Sequence, residues 1–338
     1  MNSMNIVFLM DPLERIDIHK DTTYVIMREA QERGYAIFHL LPHNLYMENG
    51  RVMGKVCSVR LQEGEKWYGL YDEETVELKT MDAILMREDP PFDMDYLYST
   101  YLLGFIESDI FIMNSPRGIR EANEKLYALN FPGLIPEYLV TNQIHMLKGF
   151  LQKVNGAMVV KPLDCCGGSG VFAIFSGDKN MNAMLEMVTD NEKKQILAQR
   201  YIPEIRKGDK RLILLNGEPV GAVNRVPSDE EHRGNIHVGA SCVKAPITDR
   251  DLYIAKTVSE RFRSDGIYLA GLDIIGGFIT EINVTSPTGV QEINSLNNTK
   301  LEEKIVDFIE EKLGIVSRKK FQVPARKTGN VRSCVPSF

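Results

Sequence analysis

Two strand-forming runs meet at Gly276-Gly277, and what their side chains can do together constrains this chain more than any other feature. The runs, Gly271-Leu272-Asp273-Ile274-Ile275 and Phe278-Ile279-Thr280-Glu281-Ile282-Asn283, are β-rich around a glycine pair, which is the signature of a hairpin. Glu281 and Asn283 are two residues apart, so a strand turns both to one face. Asp273 joins them only if the register allows it. With a three-residue loop, Gly276 to Phe278, it lies opposite Glu281; with a two-residue loop it faces Thr280 and points away. The three-residue loop is the expectation. Two carboxylates and an amide oxygen on one face suit magnesium, which keeps several waters and takes its remaining ligands from substrate phosphates, so a nucleotide is implied. Taken alone, such acids more often pair with arginines, and the rest of the chain must decide.

A length of 338 residues suggests two or three domains at about 150 residues each. No apolar run approaches the ~18 residues of a membrane span, and the run Asn5 to Met10 meets Asp11-Pro12 too soon for a signal peptide. The expectation is a cytoplasmic enzyme without a membrane partner. Cys57, Cys165, Cys166, Cys242 and Cys334 contain no C-x-x-C, which argues against a disulfide framework or a zinc site. Net charge is −6 although the tail from Ile315 to Phe338 is basic and holds no acid. The body is therefore acidic, and a nucleic-acid partner is not expected.

In chain order, Asn5 to Met10 reads as a buried strand, Asp21 to Arg33 as a helix stopped by Gly34, and Ala36 to Leu41 as a second strand, hence a βαβ opening. Residues 45–80 read as a small β insertion, and Ala83 to Met86 as a core strand running into Arg87. Open α/β sheets bind ligands beyond the carboxyl ends of their strands, where both Asp11 and Arg87 fall. A helix follows from Tyr96 to Glu107, then a strand from Phe111 to Asn114. The segment Arg120 to Leu126 has a helical pattern. After a strand (Glu137 to Thr141) and a helix (Gln143 to Val154), the strand Ala157 to Val160 ends at Lys161-Pro162. It enters Leu163-Asp164-Cys165-Cys166-Gly167-Gly168-Ser169-Gly170, followed by a strand from Val171. Such a turn lets backbone N–H groups approach a polyphosphate, with Lys161 as a fixed charge, although neither a Walker A nor a Rossmann fingerprint is present.

The strand Gln195 to Ile202 can offer its backbone to an adenine. A clear hairpin, Lys210 to Leu215 and Glu218 to Val226 about Asn216-Gly217, carries Asp209, Arg211 and Arg225. Residues 227–241 form a long loop with Arg233-Gly234-Asn235, whose length suggests a functional flap. Thr248 with Asp251 caps a helix to Arg263, and a last helix runs from Lys300 to Lys312.

These parts together resemble an ATP-grasp ligase, specifically prokaryotic-type glutathione synthetase. The resemblance rests on Met10-Asp11-Pro12, Leu85-Met86-Arg87-Glu88-Asp89-Pro90-Pro91-Phe92-Asp93, Asn123-Glu124-Lys125-Leu126, Lys161-Pro162-Leu163-Asp164, Gly208-Asp209-Lys210-Arg211, Asn216-Gly217-Glu218-Pro219-Val220, Arg233-Gly234-Asn235, Gly271-Leu272-Asp273-Ile274-Ile275 and Thr280-Glu281-Ile282-Asn283-Val284-Thr285-Ser286-Pro287-Thr288. It runs collinearly from residue 5 to about residue 313. It implies an α/β (α+β) chain with the ATP-grasp fold: an amino-terminal parallel α/β domain over 1–122, a central lid over 123–202, and an antiparallel-sheet subdomain over 203–314. The basic tail, 315–338, lies beyond it.

The resemblance further implies ATP held by Lys125, Lys161, Gly167, Gly168, Ser169, Gln199, Arg200, Tyr201, Ile202 and Asp209. It makes Asp273, Glu281 and Asn283 ligands of magnesium, with manganese as the other cation. It places γ-glutamylcysteine against Asp11, Arg87, Arg211, Arg225, Arg233, Ser286 and Thr288, and sets Arg211 and Lys161 at the chemistry. ATP would phosphorylate the cysteinyl carboxylate, and glycine would attack the acyl phosphate. Members are usually tetramers. Three departures stand out. Cys165-Cys166 replace the small residue and methionine expected there, which reads as a tolerated substitution ahead of the other reading, a low-pKa, oxidisable thiol beside Lys161. The stretches His237 to Cys242 and Gly289-Val290-Gln291-Glu292 also differ, which leaves a ligase with another γ-glutamyl peptide or acceptor as the alternative. A nucleotide sensor without turnover would not need Arg211.

Overall fold

The computed structural model describes residues 4–64, 66–227 and 241–315, arranged around three sheets. In the first, the apolar run of β1 (Asn5–Leu9) is the central strand, as a run buried on both faces must be. It pairs in parallel with β2 (Ala36–Leu40) on one side and β6 (Ala83–Met86) on the other. α1 (Thr22–Glu32) makes the crossover between β1 and β2, its first turn capped by the Asp21 carboxylate, which accepts from Tyr24 N at 2.8 Å. β3 (Leu45–Glu48), β4 (Arg51–Leu61) and β5 (Tyr68–Glu77) extend this sheet antiparallel as the expected β insertion. Beyond β6 lie α2 (Met94–Gly104) and the parallel edge strand β7 (Phe111–Met113).

The helix expected over Arg120 to Leu126 is not formed. α3 (Pro116–Glu121) stops short of it, because the Asn123 side chain accepts from the backbone N–H of Lys125 (3.1 Å) and Leu126 (3.0 Å) and ties the chain into a turn.

The second sheet is antiparallel, in the order β10 (Phe172–Phe175), β9 (Ala157–Pro162), β11 (Ile196–Arg200), β8 (Tyr138–Thr141). α4 (Ile144–Lys153) and α5 (Met181–Val188) cover one face through Leu147, Leu151 and Leu185, which pack on Met158, Val160, Ile174 and Ala198. The other face is left for the site.

The third sheet is also antiparallel: β14 (Ser241–Lys244), β13 (Glu218–Val226), β12 (Asp209–Leu215), β15 (Leu269–Ile275), β16 (Phe278–Asn283). Strict alternation along β12 divides its side chains between two cores. Leu212 and Leu214 pack under α6 (Asp249–Ser264), while Ile213 and Leu215 join α7 (Val290–Asn297), α8 (Leu301–Lys312) and the β1 residues Ile6 and Phe8. Asp209, Arg211, Arg225 and Asp273 project on this second side, whereas Lys210 turns to α6 and pairs with Asp251 at 2.7 Å. α6 begins with the capping box that Thr248 and Asp251 foretold.

Candidate active site

The hairpin of β15 and β16 closes with two residues, Gly276-Gly277, and the three-residue loop is wrong. Ile275 pairs with Phe278 and Ile274 with Ile279. Both glycines are left-handed (φ 57° and 79°), the primed turn whose twist matches a hairpin. Asp273 nevertheless pairs with Glu281, because an extra residue is accommodated in β16 as a bulge next to this pair. The core imposes it: Ile279 and Ile282, three apart, are both fully buried under α6, which simple alternation forbids. The pattern I-x-x-I was the overlooked signal. Asp273 therefore shares a face with Glu281 and Asn283, away from Leu272 and Ile274.

A charged row runs across four strands on that face. Arg211 on β12 is the cross-strand neighbour of Asp273, and Asp209 that of Arg225 on β13. Arg211 grips Asp273 with Nε to Oδ1 (2.5 Å) and Nη2 to Oδ2 (3.0 Å), while Arg225 Nη2 reaches Asp273 Oδ1 (2.9 Å) and Asp209 Oδ2 (2.5 Å). Burial alone would push the Asp273 carboxyl up, but the two guanidiniums overcome it and hold it at about 2. For Asp209 burial wins over Arg225, and its carboxyl is pushed up to about 7.

Glu281 is freer, its nearest cation being Lys161 Nζ at 3.4 Å. Asn283 Nδ2 donates to Gly271 O (3.2 Å), which fixes the amide and leaves its oxygen as the available acceptor. Two carboxylates and an amide oxygen thus meet on one face, a donor set that fits a hard cation in chemistry. Among the described residues no cluster of three or more His, Cys, Asp or Glu forms a metal site, so the amide is needed to complete the set.

Beside this row a cavity of about 470 Å³ opens between the second and third sheets. Its walls include Lys161, Gly168, Gln199, Arg200, Tyr201, Ile202, Asp209, Arg225, Asp273 and Glu281. Lys161, at the end of β9, is buried and donates to Thr280 O at 3.2 Å, so the bulge also supplies its seat. The loop after β9 turns through left-handed Gly167, Gly168 and Gly170; a Cβ on Gly170 would come within 2.8 Å of Pro162. Ser169 lies in the same turn, its N–H donating to Cys166 O at 3.2 Å. Where β11 leaves its sheet, the N–H groups of Arg200 and Tyr201 are taken by Glu137 O (2.8 Å) and Ala157 O (3.1 Å). Gln199 is buried, and among the described residues its Nε2 has no partner.

Lys125 is wholly buried, with Nζ donating to the Glu124 carboxylate and to Cys165 O at 2.5 Å. Burial opposes its charge, yet Glu281 and Glu124 raise its pKa above the ordinary lysine value. Glu124 itself is pushed up by burial and then by Glu281. It escaped sequence reading because neighbouring Glu and Lys carry no spacing signal. The low-pKa thiol is corrected: burial, then Asp164, raises the Cys165 thiol, and burial, then Glu124, raises that of Cys166. The lysine next to this loop is Lys125 rather than Lys161.

On the far side of the row, the ends of β1 and β6 place Asp11, Arg87, Glu88 and Asp89 together. Asp11 Oδ2 accepts from Asp89 N at 2.8 Å. Arg87 is buried and donates to Thr23 Oγ1 (3.0 Å) and Pro287 O (3.3 Å), with no carboxylate bridged to it among the described residues. Arg211 Nη1 donates to Thr288 O (3.3 Å), so the loop holding half-buried Thr288 and buried Ser286 spans from the first sheet to the charged row. Arg233 and the rest of residues 228–240 of its expected flap lie outside the described residues, and Ser241 belongs to β14.

Two antiparallel sheets clasping a cavity, with Lys161 from one facing acids of the other, define the ATP-grasp class. Solved structures bear the fold out: D-cycloserine synthetase DcsG matches with a TM-score of 0.64 at 14% identity over 91% of this chain and 99% of its own. The ATP-grasp ligase PsnB, complexed with precursor peptide PsnA2 and AMPPNP, matches at 0.59 and 15% over 93% of this chain and 99% of its own. Within that class the assignment is narrower. Residues 4–120 match the prokaryotic glutathione synthetase N-terminal domain and residues 124–298 its ATP-grasp domain. Glutathione synthetase of Synechocystis sp. is 39% identical over 318 residues (91% of this chain, 99% of the relative), and that of Nitrosomonas europaea 40% over 321 residues (93% and 100%). The chain belongs to the prokaryotic glutathione synthetase family and is an ATP-dependent ligase.

Proposed function

We propose that this chain joins the cysteinyl carboxylate of γ-glutamylcysteine to glycine, with ATP becoming ADP and phosphate by way of an acyl phosphate. The observation that carries the reading is the shared face of Asp273, Glu281 and Asn283 at the mouth of a cavity lined by Lys161 and Gln199–Ile202. Adenine lies along the end of β11 and the phosphates run to Lys125, Lys161 and the 167–169 loop. Magnesium or manganese, held by Asp273, Glu281 and Asn283, would supply neutralisation of phosphate charge. The dipeptide lies across Asp11, Arg87, Arg225, Ser286 and Thr288, with Arg233 from its flap. Arg87, a buried cation without a bridged acid, suits a ligand carboxylate.

Of the five N–H groups of Arg211, two serve Asp273 and one serves Thr288 O, which leaves two for the oxyanion that forms as the amine attacks. No side-chain nucleophile is required. Positioning and charge carry the reaction.

The units 1–122, 123–202 and 203–314 are supported by the three separate sheets. Family likeness favours a tetramer and a cytoplasmic location; no helix among the described residues is long and apolar enough to cross a membrane. Phosphate release from ATP and γ-glutamylcysteine, compared across glycine, alanine, serine and glutamate, tests the reading. Glycine should be preferred, and Glu281→Gln should abolish most turnover while leaving the melting curve intact. Equal rates with all four acceptors would replace glycine by the broader alternative, and full activity in Glu281→Gln would remove the metal assignment.

A further inference from the structure

Glu292 sits in the first turn of α7, three residues after Gly289, and its Oε2 is buried without a hydrogen-bond partner among the described residues. A buried acceptor left unmatched carries an uncompensated desolvation cost, so its persistence calls for a ligand. The helix is fixed at this end. Gln291 Nε2 donates to Ile18 O (3.0 Å) and Asp21 O (2.5 Å), and Gly289 backs so closely onto Arg211 that a Cβ there would lie 3.4 Å from its Cγ. Glu292 therefore borders the place where Arg211 meets the reacting carbonyl.

The charged and titratable groups facing Glu292 are Lys20 from the 17–21 loop, Arg211 from β12, Arg225 from β13 and Cys242 from β14. The two arginines are bound to Asp273 and Asp209, and Lys20 is exposed with Asp17 at 3.8 Å. None of them hydrogen-bonds Glu292. What remains is one buried carboxylate oxygen, Oε2, without a donor, next to the site where an amine must arrive.

We propose that Glu292 is a further catalytic residue: it receives the ammonium group of the incoming amino acid and takes one proton from it before attack. The inference rests on the carboxylate–amine ligation proposed above. Of the three ammonium protons, one passes to Glu292 and frees the lone pair. Nitrogen then forms the C–N bond while the carbonyl π electrons move onto oxygen beside Arg211, and that oxyanion re-forms the carbonyl as the C–O bond to phosphate breaks and its electrons leave with phosphate. The second proton departs with that phosphate and the third stays on the amide. Glu292 returns its proton to solvent. Burial raises the Glu292 carboxyl above its ordinary range, which brings its basicity nearer to that of an amine.

Glu292→Gln keeps the shape and removes the base. It should lower kcat/KM for glycine by about 100-fold or more, with KM for ATP and for γ-glutamylcysteine unchanged within about twofold. Without glycine, scrambling of ¹⁸O between bridging and non-bridging positions of ATP, dependent on γ-glutamylcysteine, should continue at the parent rate, because that partial reaction precedes the amine. The deficit should shrink as pH rises from 7 to 9 and free amine becomes available from solution. Glu292→Asp should recover part of the loss with the parent's pH profile, and this comparison decides the matter if the glutamine variant folds poorly. An unchanged kcat/KM for glycine, a parallel loss of isotope scrambling, or a deficit independent of pH would overturn the assignment. Failure of the ligation reading itself would look different: the parent would show neither scrambling nor glycine-dependent phosphate release.

Discussion

Glu88 shows how far a single residue can depart from its usual chemistry without a nearby cation. Its Oε2 is buried and unpartnered among the described residues, and burial, followed by Asp11, Asp93, Asp95 and Asp89, pushes its carboxyl from 4.5 up to about 7. Between those pH values the folded protein holds a proton that the unfolded chain has released, so this group makes stability fall as pH rises through the window. Glu88→Gln removes the titration. Denaturant melts should show the variant gaining about 2 kcal/mol on the parent at pH 8 and almost nothing at pH 4; an equal gain at both would sink the argument. Asp273, Glu281, Asn283 and Lys161 were legible from residue type and spacing. Glu88, Glu124 and Glu292 were not, because what marks them is enclosure and the want of a partner, and both are properties of packing. Lys125 was visible only through family likeness, since one lysine in a polar segment carries no local mark.

At the scale of elements, most strands and the capped α6 followed from periodicity and punctuation, whereas two connections did not. α7 begins at a left-handed glycine with no side-chain cap, so the usual starting signal is absent. The bulge was hidden because the turn was used to set the register when the core in fact sets it. The glycine pair allows a direct comparison. Gly277 faces only the Arg250 side chain, at 3.5 Å, so Gly277→Ala should cost about 1 kcal/mol from its positive φ alone. A Cβ on Gly276 would meet Ile202 Cγ2 at 2.9 Å, and Gly276→Ala should cost about 1 kcal/mol more. Because Ile202 lines the cavity, that variant should also raise KM for ATP while Gly277→Ala leaves it unchanged. Urea melts and initial rates check both; equal effects would mean that the turn does not bear on the end of β11.

Across the whole molecule, chain ends far apart in sequence are fastened together. Arg33, just past α1, reaches Glu29 (2.7 Å) on its own helix and Asp307 and Glu310 (both 2.7 Å) and the carbonyl of Glu303 (3.0 Å) on α8, while Tyr35 Oη donates to Glu310 at 2.6 Å. Nothing local in the sequence announces a contact between residues 33 and 310. Arg33→Met would strand two buried carboxylates, Glu29 and Glu310, and should cost about 3 kcal/mol in a denaturant melt; a loss below about 1 kcal/mol would show the pairs to be surface-like. The first and third sheets share a hydrophobic core. The second meets the third across the cavity, where Lys161 leans on β16. A nucleotide lodged there is mortar between two courses of brick. Bound as proposed, the ligase's own fuel would double as structural filling, and the enzyme deprived of it would be looser as well as idle.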